Sequence, residues 1–249
     1  MSERWFTVES GRVAQILSEI VDGSNPEANV PSRLVLACAQ ALPVTGVGLA
    51  LMTDDGHAGT VAVSDGPAGT MEDLQFALGE GPCVECNATG RPVLQPDLAR
   101  TGPGRWPGFS ASALEAGILA VFAFPLRVGG IRVGVLDLYR DQVGELSDEE
   151  LTEALSFADA ATALLLRLQA QPSSDGSGMG AIPVIEDRAE VHQATGMISV
   201  QAGVGMAEAL VRLRARAYAV ERPIVDVARD VVDRVTSFAD AYDGDDGPR

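Results

Sequence analysis

Val191-His192-Gln193-Ala194-Thr195-Gly196-Met197-Ile198-Ser199 decides how the C-terminal part of the chain is read. Val191, Ala194 and Ile198 fall at spacings of three and four, which is one face of a helix, and Gly196 interrupts the run. Working outward, Pro183 reopens helix before it and Ile185 extends its apolar stripe. Gly203 and Gly205 then break the pattern. Met206 to Val220 repeats it, with Leu210, Leu213 and Ala217 inward. Pro223 opens a third segment in which Ile224, Val227, Ala228, Val231, Val232 and Val235 form a full apolar face. Each segment is too short to be a stable helix in water by itself, so the three must pack as a bundle. No nucleophile, phosphate loop or metal-ligand set falls in this stretch, so it reads as a binding module.

Composition narrows what such a module binds. The chain has 249 residues, 46% of them hydrophobic, room for one large domain and a small one. No apolar run is long enough to span a bilayer, and no signal peptide is evident at Met1-Ser2-Glu3-Arg4. Three cysteines make no disulfide framework. The expectation is a cytoplasmic, thiol-reduced protein with no membrane association. Net charge is −17, against non-specific adhesion to nucleic acid. That charge is uneven: −13 over residues 1–181, −1 over 182–239 and −3 over the last ten. There is no lysine. A nucleic-acid site must therefore be a local arginine patch in the C-terminal part.

The N-terminal part has a different grammar. Helices are expected over Val8–Val21, with Val21 on the inward face, and over Pro31–Leu42. Val44–Thr53 and Gly59–Ser64 form a hairpin around Asp54-Asp55-Gly56. A short helix over Thr70–Leu78 leads to the loop Leu78-Gly79-Glu80-Gly81-Pro82-Cys83, and Pro92–Gln95 is a short strand. Arg105-Trp106-Pro107-Gly108-Phe109 opens another helix. Leu119–Leu126 and Ile131–Tyr139 are the clearest strand pair, joined at Val128-Gly129-Gly130. Ser147 and Glu150 make a capping box for a helix to Gln169, with Leu151, Leu155, Ala158, Ala161, Leu165 and Leu168 inward. The order predicts an α+β domain with an antiparallel sheet and helices on one side. Gln171 to Gly180 is a linker by composition. The expected division is a domain over 1–170, a linker over 171–182, a helical domain over 183–238 and an acidic tail over 239–249.

The helical part resembles the ANTAR domain, a three-helix output module of bacterial antitermination regulators. Gln193-Ala194-Thr195-Gly196-Met197, Glu208-Ala209-Leu210 with Leu213-Arg214, and Asp226-Val227-Ala228 with Val231-Val232 carry the resemblance. The first 170 residues resemble a GAF sensor domain through Leu78–Cys83, Trp106-Pro107, Gly117, Pro125-Leu126 and Gly134-x-Leu136-x-Leu138-Tyr139. The resemblance implies a dimeric transcription antiterminator that binds paired hairpins in nascent RNA. Hairpin loops expose unstacked bases, which arginines and an aromatic ring can hold. The residues it points to are Arg188, His192, Thr195, Gly196, Arg212, Arg214, Arg216, Tyr218 and Arg222. Many relatives carry a basic residue where this chain has Thr195, and a basic pair where it has Val220-Glu221. Each arginine also reads as an ordinary solvated helix position, Tyr218 as a bundle-core ring, and Gly196 as a close helix–helix contact.

Cys83-Val84-Glu85-Cys86 opens a helix, where a thiolate is favoured, so Cys83 and Cys86 form a candidate redox pair beside the alternative of two packed thiols. Cys38, His57 and His192 supply no zinc partners, and neither a metal nor a cofactor is expected. A GAF pocket for an unknown small-molecule ligand would have Leu49, Leu51, Val61, Phe122, Phe124 and Leu136 as its floor, residues that also suffice as core. The reading is a non-enzymatic regulator. Its alternatives are a GAF-type cysteine-dependent reductase and a protein-interaction regulator with weakened RNA binding.

Overall fold

The computed structural model describes residues 3–22, 29–53, 56–170 and 189–239. The chain divides into two compact units, with the split between Val184 and Ile185. No single described helix is long and apolar enough to cross a membrane.

The first unit opens with helices α1 (Glu3–Asp22) and α2 (Val30–Ala41), followed by the hairpin β1 (Gly46–Thr53) and β2 (Gly56–Val63). Next come α3 (Gly66–Leu78), α4 (Pro82–Thr89), β3 (Val93–Gln95), α5 (Leu98–Arg105) and α6 (Pro107–Glu115). The hairpin β4 (Ala120–Val128) and β5 (Ile131–Arg140) leads into α7 (Asp148–Gln169). The strands form one antiparallel sheet in the order β2-β1-β5-β4-β3. Its centre is fixed by side-chain alternation, because a slip of one residue would turn every apolar side chain to the other face. Leu49 and Phe124 both pair with Leu136 and point to one face. Ala50, Val135 and Val121 point to the other.

Both faces are covered, where the element order predicts helices on one side only. α1, α2 and α7 seal the first face around Leu34, Val35, Phe122, Phe124, Phe157 and Leu165. α3 to α6 seal the second around Met71, Phe109, Ala113 and Tyr139. The α3–α6 excursion between the hairpins is long enough to wrap the far side of the sheet. The expected pocket floor of Leu49, Leu51, Val61, Phe122, Phe124 and Leu136 lies within the first face, as packed core beneath α1, α2 and α7.

Local signals explain most boundaries. The Ser147 hydroxyl accepts from Glu150 N while Glu150 Oε2 accepts from Ser147 N, the reciprocal cap that starts α7. Asp65 caps α3 earlier than its apolar spacing suggests, by accepting from Ala68 N. The helix α5 is hidden in the sequence by Gly102, Pro103 and Gly104. Its start is an Asp97 cap on Arg100 N. A Cβ at Gly102 would lie 2.6 Å from both Leu98 Cδ1 and Ser110 Oγ, so the glycine permits the close packing there. Two expected inward residues are not inward: Val21 and Leu155 are exposed.

The second unit is a three-helix bundle of α8 (Ala189–Ala202), α9 (Met206–Ala219) and α10 (Ile224–Val232). Its core is Val191, Ala194, Ile198, Ala209, Leu213, Ala217, Ile224, Val227, Ala228 and Val231. The turn between α8 and α9 uses Gly203 at φ 64°, and the Ser199 hydroxyl donates to Val204 O at 2.6 Å. The third apolar face stops short of the sequence pattern. α10 ends at Val232, Arg234 takes a left-handed conformation, and Val235 is exposed.

Candidate functional site

The bundle surface is built on α8 and α9. On α8, Thr195 is buried, and its hydroxyl donates to Val191 O at 2.6 Å. A hydroxyl committed to the preceding helical turn makes Thr195 a bundle residue, so its side chain is withdrawn from the expected contact set. Among the described residues, a Cβ at Gly196 would meet nothing within 4 Å, which corrects the expectation of a close contact with α9 or α10. Gly196 instead leaves a shallow, open position one turn after the exposed His192. Arg188 lies outside the described residues.

On α9 the expected arginines divide. Arg212 Nη2 reaches Glu208 Oε1 at 2.6 Å, one turn back along the same helix. Arg214 is half-buried and Arg216 is exposed. Tyr218 is 79% exposed, so its ring is a surface ring and not a core one. Past the helix end, Glu221 adopts φ 52°, and Arg222 Nη1 pairs with Asp230 Oδ2 at 2.5 Å. That hydrogen bond and the Asp230 charge hold the Arg222 guanidinium above its ordinary pKa. Arg229, which sequence reasoning passed over, joins α10 to α8 through Glu190 at 3.2 Å and also meets Asp226 at 3.3 Å. Residues 189–239 hold six arginines and six acids. Several cations are thus met by local carboxylates in exposed pairs, which are individually weak and open to exchange for another anion.

A second constellation lies in the first unit, beneath α3 and α4. Glu72, Gln75, Cys83, Asp137 and Tyr139 are all buried there. The Tyr139 hydroxyl donates to Glu72 Oε1 at 2.8 Å and accepts from Gln75 Nε2 at 3.0 Å. Gln75 Oε1 in turn accepts from Cys83 N at 2.7 Å. The Cys83 thiol donates to Met52 Sδ at 4.0 Å. Two glycines make room for this polar group. A Cβ at Gly48 would fall 2.0 Å from Glu72 Oε1, and one at Gly81, at φ 132°, would fall 2.6 Å from Gln75 Oε1.

The electrostatics run against the low-pKa thiolate expected of Cys83 and Cys86. Burial, then the Asp137 and Glu72 carboxyls, push the Cys83 thiol well up. Burial and Asp137 do the same to Cys86. The helix start is outweighed because both thiols are dry and face acids. Burial and Glu72 raise Asp137 far above the usual carboxylate range. Sequence reasoning missed Glu72 and Asp137. The signal for Asp137 was present, as a lone charge within the apolar strand Val133-Gly134-Val135-Leu136-Asp137-Leu138-Tyr139.

Comparison with known proteins bears on both units. A family model for the GAF domain matches residues 28–165, and one for the ANTAR domain matches residues 184–232. No curated protein matches the chain. Among solved structures, the GAF domain of a phosphoenolpyruvate-protein phosphotransferase from Acinetobacter is 13% identical, with a TM-score of 0.50 over 68% of this chain and 98% of that one. The corresponding domain from Coxiella burnetii is 16% identical, with a TM-score of 0.45 over 65% of this chain and 95% of that one. A free methionine-R-sulfoxide reductase from Neisseria meningitidis is 20% identical, with a TM-score of 0.43 over 65% of this chain and 88% of that one. At such identity the first of these shows a shared fold and nothing more. The combination of a GAF unit with an ANTAR unit fits a regulator that binds RNA. The two-faced antiparallel sheet and the three-helix bundle, each matched by its family model, place the chain among the GAF and ANTAR domain-containing proteins.

Proposed function

We propose that the chain is a cytoplasmic transcription antitermination regulator, in which the GAF unit receives a signal and the ANTAR unit binds paired hairpins in nascent RNA as part of a homodimer. The observation that carries this reading is the exposed Tyr218 ring on α9, a helix that also bears Arg212, Arg214 and Arg216. An exposed aromatic ring stacks on an unstacked base, while guanidinium groups meet phosphates or base edges. The open position at Gly196 lets a backbone or base approach α8 closely. The remaining expected contacts are His192, Arg222 and Arg188.

The test is retardation of a transcript with two hairpins by the full chain at increasing salt. Affinity should fall as salt rises, because each phosphate neutralised releases counterions. Replacing Arg212, Arg214 and Arg216 together with alanine should weaken retardation and leave the helical circular dichroism intact. Absence of retardation by any paired-hairpin transcript would favour the protein-interaction regulator. The reductase alternative is disfavoured by the raised pKa and burial of Cys83 and Cys86, since thiol exchange begins from an accessible thiolate.

A further inference from the structure

The buried constellation of the GAF unit has more ligand chemistry than core packing requires. Glu72 comes from α3, Cys83 from the first turn of α4 and Asp137 from the middle of β5. Each offers one donor atom, and the three donors lie within 4.8 Å of one another. Glu72, Cys83 and Asp137 each have 0% exposure. Neither carboxylate oxygen of Asp137 has a hydrogen-bond partner among the described residues, although Glu72 and Cys83 are near enough to act on it. Among the described residues, the ionisable groups acting on Asp137 and Cys83 are acids and thiols. A dry carboxyl such as that of Asp137, with no hydrogen-bond partner among the described residues, is costly to bury.

We infer that Glu72, Cys83 and Asp137 form a binding site for one divalent transition ion of the zinc or ferrous class. Two carboxylate oxygens and a thiolate are too soft a set for magnesium or calcium, which take oxygen alone, and suit a borderline ion. Donors about 2.0–2.3 Å from a tetrahedral ion stand roughly 3.3–3.8 Å from one another. The observed cluster lies within side-chain adjustment of that spacing. The fourth position falls to water or to the Met52 thioether, 4.0 Å from Cys83 Sγ.

The surroundings are arranged as those of a metal site are. Tyr139 holds the Glu72 carboxylate, Gln75 holds Tyr139, and the same Gln75 amide fixes the Cys83 backbone. Outer contacts of this kind orient ligands and set affinity. Gly48 and Gly81 clear the space that Glu72 and Gln75 occupy. Binding ionises the Cys83 thiol and releases its proton to solvent, so affinity rises with pH. The site belongs to the GAF unit and stands whether or not the ANTAR unit binds RNA.

The experiment uses the purified full chain, stripped with a chelator and titrated with cobalt(II) as an optical probe. One cobalt per chain should bind, with a thiolate-to-metal charge-transfer band that equimolar zinc abolishes. Cys83→Ser should remove the band, and Asp137→Asn should weaken binding at least tenfold. A Cys38→Ser/Cys86→Ser double variant leaves Cys83 as the sole thiol and should keep the band. That variant decides the matter even if Cys83→Ser does not fold. The inference is overturned if the native chain gives no such band, if the band survives in Cys83→Ser, or if it vanishes in a folded double variant.

Discussion

The Tyr139 hydroxyl meets Glu72 Oε1 at 2.8 Å across the GAF interior, joining the end of β5 to the middle of α3. Tyr139→Phe removes that donor and leaves buried polar atoms of both Glu72 and Gln75 short of a partner. Unsatisfied buried groups cost about 1–3 kcal/mol each. A loss of stability in that range is expected by urea denaturation, and an unchanged midpoint would show that the network adapts freely.

The carboxyl of Asp137 sets a pH dependence. Its folded pKa is raised above the ordinary 3.8 by burial and by Glu72. The folded state therefore holds a proton that the unfolded state releases. Its stabilising contribution is complete below the unfolded pKa and is lost as pH climbs from about 4 through the folded value. The metal-free chain should lose melting temperature over that climb, and Asp137→Asn should flatten the slope. A steeper slope in the variant would reverse the assignment.

Gly196 gives a prediction with two readouts. A Cβ there meets nothing among the described residues, and helix-interior glycine costs roughly 0.5–1 kcal/mol relative to alanine. Gly196→Ala should raise the melting temperature of the ANTAR unit while weakening retardation of hairpin RNA. Stabilisation with undiminished RNA binding would remove Gly196 from the proposed interface.

Tyr218 separates stability from recognition. Its exposure means that Tyr218→Ala should change folding stability by no more than about 0.5 kcal/mol. Loss of one stacked base should weaken RNA binding by roughly 1–3 kcal/mol, read as the shift in the retardation midpoint.

Leu155 and Leu166 lie eleven residues apart on one side of α7 and are 43% and 38% exposed. Exposed leucines on a long amphipathic helix are suited to a second copy of the chain. Leu155→Glu with Leu166→Glu should convert a dimer to a monomer in sizing with light scattering. A dimer that persists would direct attention to the ANTAR helices.

Much of the fold was legible because its signals are local. The Ser147 cap, the Gly129-Gly130 turn and the spacings of α8 and α9 each lie within a few residues. The helix α5 was not legible, because Gly102, Pro103 and Gly104 read as breakers while the interaction that offsets them is its packing on Ser110. Coverage of both sheet faces was not legible either, since alternation in β1, β4 and β5 shows that two faces exist and not which helices take each. The surface of the helical bundle was partly legible. Arginine and tyrosine positions follow from spacing, but the burial of Thr195 and the Arg229–Glu190 pair depend on how three helices meet. The buried cluster was not legible as a cluster: Asp137 stands out as a lone charge in an apolar strand, but Glu72 lies 65 residues away and the two share no short motif.

Gly48 lacks the one atom that Glu72 would collide with, so the two positions are a single inherited choice. Alanine at 48 should be poorly tolerated alone and far better tolerated once residue 72 is shortened. In sequences descended from a common ancestor, a side chain gained at 48 should accompany a carboxylate lost at 72.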